Sequence, residues 1–304
     1  MLLPVVAGVD GSAESLAAAQ WAAREAIRRE RPLRLVHARG RGPGRDGERA
    51  AAHRHLARRV LRRAEEHVSR TNPGVTVEAE QVEGLASGAL VRASEGAELL
   101  VLGSRGLSGF TGFLVGSVAL AVVARAARPV VLVRAGEEAA DEHFAAPDGT
   151  PSVRTGHRDV VLGLDLGDPC DEVISFGFEA ARVRGARLRV VHAWDPPSPF
   201  GPGPGEVGLA DPPRQAAEWL GFMTAVLQVW RDKFPDVEVV EKVAAGSARS
   251  VLVRASSGAG LLVVGRRAGA RPTVPRSGPV THAAVQHVGC PVAVVPHEGE
   301  AHRP

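Results

Sequence analysis

The feature that most constrains this 304-residue chain is that it is written twice. VVAGVD at 5–10 returns as VVLGLD at 160–165, and LRLVHA at 33–38 returns as LRVVHA at 188–193. Asp10 and Asp165 stand 155 residues apart, as do His37 and His192. Farther along the spacing changes. Gly84 and Gly246, Gly103 and Gly265, Gly116 and Gly278, and Pro129 and Pro291 are all 162 apart. The step from 155 to 162 places a net insertion of seven residues between the second and third strands of the second copy, where DPPSPFGPGPGEVGLADPP runs from 195 to 213. Solenoid repeats recur at roughly 20–50 residues, so so long a period marks a duplicated domain.

Each copy alternates strand-like and helix-like segments. Val5 to Val9 is a short apolar strand ending at Asp10-Gly11-Ser12, with Ser12 placed to cap a helix. That helix is expected from 13 to near 30, with Leu16, Ala19, Trp21, Ala23 and Ile27 available for packing. Leu33 to Ala38 is the second strand, followed by the loop RGRGPGRDG at 39–47. An Arg/Ala/Leu helix to near Arg70 would turn Leu56, Val60, Leu61 and Val68 inward. Asn72-Pro73-Gly74 makes a turn, Val75 to Val82 a third strand and Ala86 to Ser94 a short helix. Leu99 to Leu102 is a fourth strand, and Val130 to Val133 a fifth. Such βαβ alternation with short connections predicts α/β architecture, two doubly wound domains with parallel sheets. The expected division is a first domain at 1–136, a linker at 137–157 where periodicity fails, a second domain at 158–297 and a tail at 298–304.

Composition narrows the function classes. A 44% hydrophobic and 23% charged chain is globular, and no apolar run reaches the roughly 18 residues needed to span a bilayer. MLLPVVAGVDGS has neither a charged leader region nor a cleavage site, so a cytoplasmic protein is expected. Cys170 and Cys290 lie far apart and outside any CxxC, which fits reduced thiols better than a disulfide or metal framework. Net charge is only +3 and aromatics are 4%, so stacking platforms for nucleic acid are scarce.

The chemistry concentrates between Leu99 and Arg134. An apolar strand ends at Gly103, a loop carries Gly106, Gly109 and Gly112, and Gly116-Ser117 open an Ala/Val-rich helix. A helix start exposes unpaired N–H groups and the positive end of the dipole, and glycine permits close backbone approach. A phosphate cradle is one reading; tight turning alone is the other. Gly103, two residues, Gly106, nine residues, then Gly116-Ser117-Val118 resembles the nucleotide-binding signature of the universal stress protein family. The resemblance covers nearly the whole chain outside linker, insertion and tail. It implies strand order 3-2-1-4-5 and ATP, with Mg²⁺ accompanying its phosphates, held by Gly8, Val9, Asp10, Ala38, Gly103, Ser104, Arg105, Gly106, Gly116, Ser117 and Val118. Asp10 would mark the base and ribose side and Ala38 would offer only its backbone. It also implies that the last strands, 130–133 and 292–295, pair, giving pseudo-symmetric pairing of the copies or a homodimer. Alternative roles stay open: Asp10 as a helix cap, Arg105 as a solvated loop residue and Ser117 as a cap. Phe110, Phe113 and Leu114 would pack the loop down, and His37 reads as a packed strand residue.

The second copy keeps Asp165, Gly265 and Gly278, but Gly106 becomes Ala268 and Ser117 becomes Pro279. Pro279 fits a first helical position yet removes an N–H and a hydroxyl from the cradle. A weaker second site follows, with Arg266, Arg267, Arg271 and Arg276 able to compensate by charge. Gly42 to Gly47 satisfies GxGxxG, but it follows the second strand in a long loop and reads as surface. GxxxxGK[ST], GxSxG and HExxH are all missing, and His53 and His55 point to different helix faces, so no catalytic or metal residue is assigned. A stress-response or signalling regulator acting by nucleotide-dependent binding is the first expectation. A partner-binding module without nucleotide, a slow ATP hydrolase, and a phosphotransfer or adenylyl-transfer enzyme on the related nucleotide-binding fold are the alternatives.

Overall fold

The computed structural model describes residues 2–39, 48–104, 116–195, 212–268 and 278–298. Arg105, Gly106, Phe110, Phe113, Leu114, the GxGxxG at 42–47, Arg271, Arg276 and most of the 195–213 insertion lie outside them. In the first half, β1 (Val5–Gly8), α1 (Ala13–Arg28), β2 (Leu33–Arg39), α2 (Glu48–Thr71), β3 (Val77–Glu83), α3 (Ala86–Glu95), β4 (Leu99–Ser104), α4 (Ser117–Val123) and β5 (Val130–Arg134) follow in order. A 3-10 turn at Ala139–Glu142 precedes the second half. There β6 (Val160–Gly163), α5 (Asp171–Arg182), β7 (Leu188–Trp194), α6 (Pro212–Lys233), β8 (Val239–Ala245), α7 (Ala248–Ala255), β9 (Leu261–Arg267), α8 (Pro279–His287) and β10 (Val292–His297) repeat the order.

The two copies make one ten-stranded sheet, ordered β3-β2-β1-β4-β5-β10-β9-β6-β7-β8. Each half is a parallel 3-2-1-4-5 sheet, as expected. The halves meet where β5 and β10 run antiparallel, pairing Val130 with Val294, Val131 with Ala293 and Leu132 with Val292. These are the last strands of the two copies, and they pair within the chain. One apolar layer, carrying Trp21, Leu35, Phe178 and Met223, lies under α1, α2, α5 and α6. The other, with Leu100, Val122, Leu262 and Val285, lies under α3, α4, α7 and α8. Both layers run through the junction.

Local chemistry explains the elements. Ser12 caps α1 by accepting from the Ser15 N–H, and the buried face of α1 is Ala18, Ala19, Ala22, Ala23 and Ala26 around Trp21. Small side chains bring this helix close to the sheet. Ile27, expected to pack, is 44% exposed, because it falls outside that alanine stripe. On α2 the inward stripe is Ala57, Leu61, Ala64 and Val68. Leu56, expected inward, is instead 58% exposed, since the helical repeat favours Ala57 over its neighbour.

The segment expected as a linker is docked rather than merely connecting. Glu142 is buried and accepts hydrogen bonds from Arg24, at 2.8 and 2.6 Å, and from Arg28. His143 bridges His157 across the segment, with ring centroids 4.0 Å apart. Beside it lies a charged knot between the halves. Arg184 of the second half donates to Glu25 of α1 at 2.5 Å, and Arg29 donates to the same carboxylate at 2.6 Å. Arg184 also lies over Trp21, and Arg29 over Phe176 of the second half. Burial alone would raise the Glu25 carboxyl. The surrounding Arg184, Arg29 and Arg28 outweigh it and hold the group down at about 2, against an ordinary 4.5. Glu142 is also lowered, its burial outweighed by Arg24 and Arg28.

Breaking a buried pair leaves the other charge uncompensated, so Arg184→Ala should lose about 3–5 kcal/mol in urea unfolding at neutral pH. The depressed Glu25 carboxyl adds stability that is complete above about pH 4.5 and is lost as pH falls towards about 2. Glu25→Gln removes that contribution, so its unfolding free energy should fall less steeply than wild type across this range. Parallel profiles would show that Glu25 does not carry the acid sensitivity.

Candidate functional site

In an open α/β sheet, ligands bind beyond the carboxyl ends of the strands where the strand order reverses. That point lies between β1 and β4 in the first half, and a crevice of about 250 Å³ opens there. Gly8, Val9, Asp10, Ala38, Gly103, Gly116, Ser117 and Val118 all line it. Chain segments more than 100 residues apart in sequence, Asp10 and Ser117 among them, are thus brought to one opening. Ser12, Glu14, Ser15, His37, Leu90 and Leu102 complete much of the wall. Sequence reasoning missed most of these because they matter only through the close seating of α1 and α3. Ser104 is not in the wall: its hydroxyl donates to the Val133 carbonyl at 3.2 Å, within the sheet.

The glycines differ in what they do. A Cβ on Gly103 would stand 2.6 Å from the Glu14 carbonyl carbon and 2.8 Å from the Ser15 nitrogen. Gly103 therefore seats the first turn of α1 against β4, whatever else approaches it. A Cβ on Gly8 would meet Leu102 at 2.6 Å. Gly116 is the opposite case: no atom of the described residues lies within 4 Å of such a Cβ, and its φ is an ordinary −61°. Nothing among the described residues demands glycine at 116.

Asp10 Oδ1 accepts from the Ser12 N–H at 3.0 Å and from the Ser12 hydroxyl at 2.5 Å. This carboxylate therefore orders the start of α1 while lining the opening. His37 is pinned through Nδ1 to the Val9 carbonyl at 2.7 Å. α4 begins at N-cap Gly116, and among the described residues no side chain caps it. Its first N–H groups are those that a helix leaves without internal partners. Ser117 and Val118 are exposed there. Among the described residues, no three His, Cys, Asp or Glu gather as a metal cluster.

The second half has a matching crevice of about 500 Å³, lined by Asp165, Gly265, Gly278 and Pro279 among others. Its polar groups are turned on one another. Arg267 donates to Asp168 at 2.7 Å, and Asp165 Oδ1 accepts from the Gly167 N–H at 3.0 Å. His297 crowds Gly265, its Nε2 lying 3.1 Å from where a Cβ would be. Pro279 takes the start of α8 behind N-cap Gly278, so the N–H that Ser117 offers in the first half has no counterpart.

Tandem doubly wound domains with a crevice at each strand-order reversal define a recognisable class of protein. The profile of the universal stress protein family matches residues 1–134 and again 156–296. The chain belongs to the universal stress protein family. A universal stress protein of Mycolicibacterium smegmatis is 29% identical, with 96% of each chain covered. One of Mycobacterium tuberculosis is 30% identical over 95% of this chain and 96% of its own. The crystal structure of a universal stress protein from Archaeoglobus fulgidus shares the fold, with a TM-score of 0.70 at 16% identity, covering 96% of this chain and 98% of that one. No helix among the described residues is long and apolar enough to cross a membrane.

The two kinds of glycine should separate in stability measurements. Gly103→Ala pushes a methyl into the backbone of α1 and should cost about 3 kcal/mol in chemical unfolding. Gly116→Ala only exchanges one N-cap residue for another and should cost less than about 1 kcal/mol. Equal losses would contradict the division.

Proposed function

We propose that the chain binds an adenine nucleotide, ATP, in the first-domain crevice, and that it acts as a stress-response or signalling regulator through nucleotide-dependent binding rather than rapid turnover. The observation that carries this reading is that the start of α4, Gly116 and Ser117, which no side chain among the described residues caps, shares one crevice with Asp10. The helix N–H groups and the Ser117 hydroxyl suit phosphate oxygens. The Ala38 backbone at the end of β2 suits the edge of a base, and Asp10, already oriented by Ser12, suits a ribose hydroxyl. The carboxylates lining the crevice are Asp10 and Glu14, so Mg²⁺ would arrive with the phosphates rather than in a protein cage. Among the described residues of the wall, Asp10 is engaged by Ser12 and His37 by the Val9 carbonyl, and the reading is of binding rather than rapid hydrolysis. The second crevice, its charges paired internally and its rim carrying Pro279, is assigned weaker binding or none.

Calorimetric titration of ATP into nucleotide-stripped protein tests the reading. Binding near one site per chain is expected. Gly116→Ala with Ser117→Ala should weaken it at least about tenfold, since one hydrogen bond to a charged group is worth about 1.5 kcal/mol. Asp10→Ala should weaken it as well. A folded wild-type protein that takes up no nucleotide would favour the second reading, a partner-binding module. The Asp10–Ser12 cap supports that alternative, because it gives Asp10 a role that needs no ligand.

A further inference from the structure

The antiparallel junction turns the two halves end for end, so the carboxyl edge of one parallel sheet lies level with the amino edge of the other. α4 starts at the first crevice, at the carboxyl edge of β4, and runs back towards the amino edge. Its end therefore arrives beside the carboxyl edge of the second half. There Arg266, the residue after Gly265 in β9, reaches across and donates from Nη2 to the Ala126 carbonyl at 2.5 Å. Arg266 itself lines the second crevice.

This arginine is 7% exposed, and among the described residues no acid pairs with it. Its Nε is buried without a partner, and burial lowers the guanidinium's proton affinity. A buried cation held by one carbonyl is costly in isolation. The corresponding residue of the first copy, by the 162-residue spacing, is Ser104, which bonds within its own sheet. So this crossing belongs to Arg266 and is not a product of the duplication. A looser contact runs the other way: Arg134 at the end of β5 donates at 3.4 Å to the Gln286 carbonyl near the end of α8, whose start lines the second crevice.

We infer that Arg266 is a positioning residue for the first-domain crevice supplied by the second domain: it fixes the turn that follows α4, the helix whose start forms the crevice rim. The inference rests on the first crevice being the nucleotide site. α4 spans only Ser117–Val123, and Ala119, Val122, Val123 and Ala126 are packed in the same apolar layer as Val285 and Val288 of the second half. The Ala126 N–H bonds back to the Val122 carbonyl, so the held turn is tied to this short, packed helix, and its displacement would carry Gly116 and Ser117 with it.

The test uses the full chain with Arg266→Gln and Arg266→Lys. Two readouts are needed: ATP affinity by calorimetry and hydrogen exchange at the amides of Leu120 to Ala126. Arg266→Gln should weaken ATP binding about three- to thirtyfold, the range over which residues remote from a ligand modulate coupling. Exchange in α4 should rise while α1 amides stay protected. Arg266→Lys, which keeps a donor, should recover part of both. Global destabilisation would raise exchange in α1 as well and would not be relieved by lysine. Wild-type binding with unchanged affinity in Arg266→Gln overturns the inference alone. Failure of wild type to bind ATP overturns the reading of the crevice and the inference with it.

Discussion

Three residue pairs, Val130 with Val294, Val131 with Ala293 and Leu132 with Val292, join everything else in this molecule. Without them each half would end in a bare, apolar strand edge. Such edges recruit other strands unless they are paired or covered. Here each copy's last strand satisfies the other, and the two sheets become one. The apolar layers on both faces then run through the junction, so the helices of one half rest partly on side chains of the other. The buried knot around Glu25 and Arg184 follows from the same pairing, because only a close junction brings α1 beside the end of α5.

That knot illustrates what buried charge can do. An ion pair taken out of water is a weak source of net stability, since desolvation opposes the attraction. Its strength is in discrimination. Glu25 is tolerated only where Arg184 and Arg29 arrive together, and Glu142 only where Arg24 and Arg28 do. A misdocked half would leave carboxylates buried without partners. The docked segment between the halves thereby helps define one arrangement of the duplicated domains rather than several.

The architecture was legible in the sequence because duplication provides an internal comparison. The matched offsets of Asp10, His37, Gly103, Gly116 and Pro129 separate the repeating scaffold from what was inserted. Apolar runs such as Leu99 to Leu102 mark buried strands by their composition. Side-chain direction on α2 was less legible: Leu56 and Ala57 differ by one helical step, and alanine carries too little apolar character to announce the inward face. The seating of Gly103 against Glu14 was also hidden, since it depends on how near α1 comes to β4. The docked segment at 139–158 could not be read at all. Its glycine, proline and charge look like a tether, and only the arginines of a distant helix turn Glu142 into a core residue.

The outer margins of the sheet tell a complementary story. Once β5 and β10 have consumed each other, the remaining borders are β3 and β8. β3 reads VEAEQVE and is exposed along most of its length, and β8 places Glu241 and Lys242 in its middle. Charged borders discourage further strands from adding on. The duplication thus makes strand addition less favourable as a mode of growth: the chain has used its two apolar borders on itself. Whatever assembles with it would meet helices and connecting loops, and recognition would be written in side chains rather than in backbone hydrogen bonds.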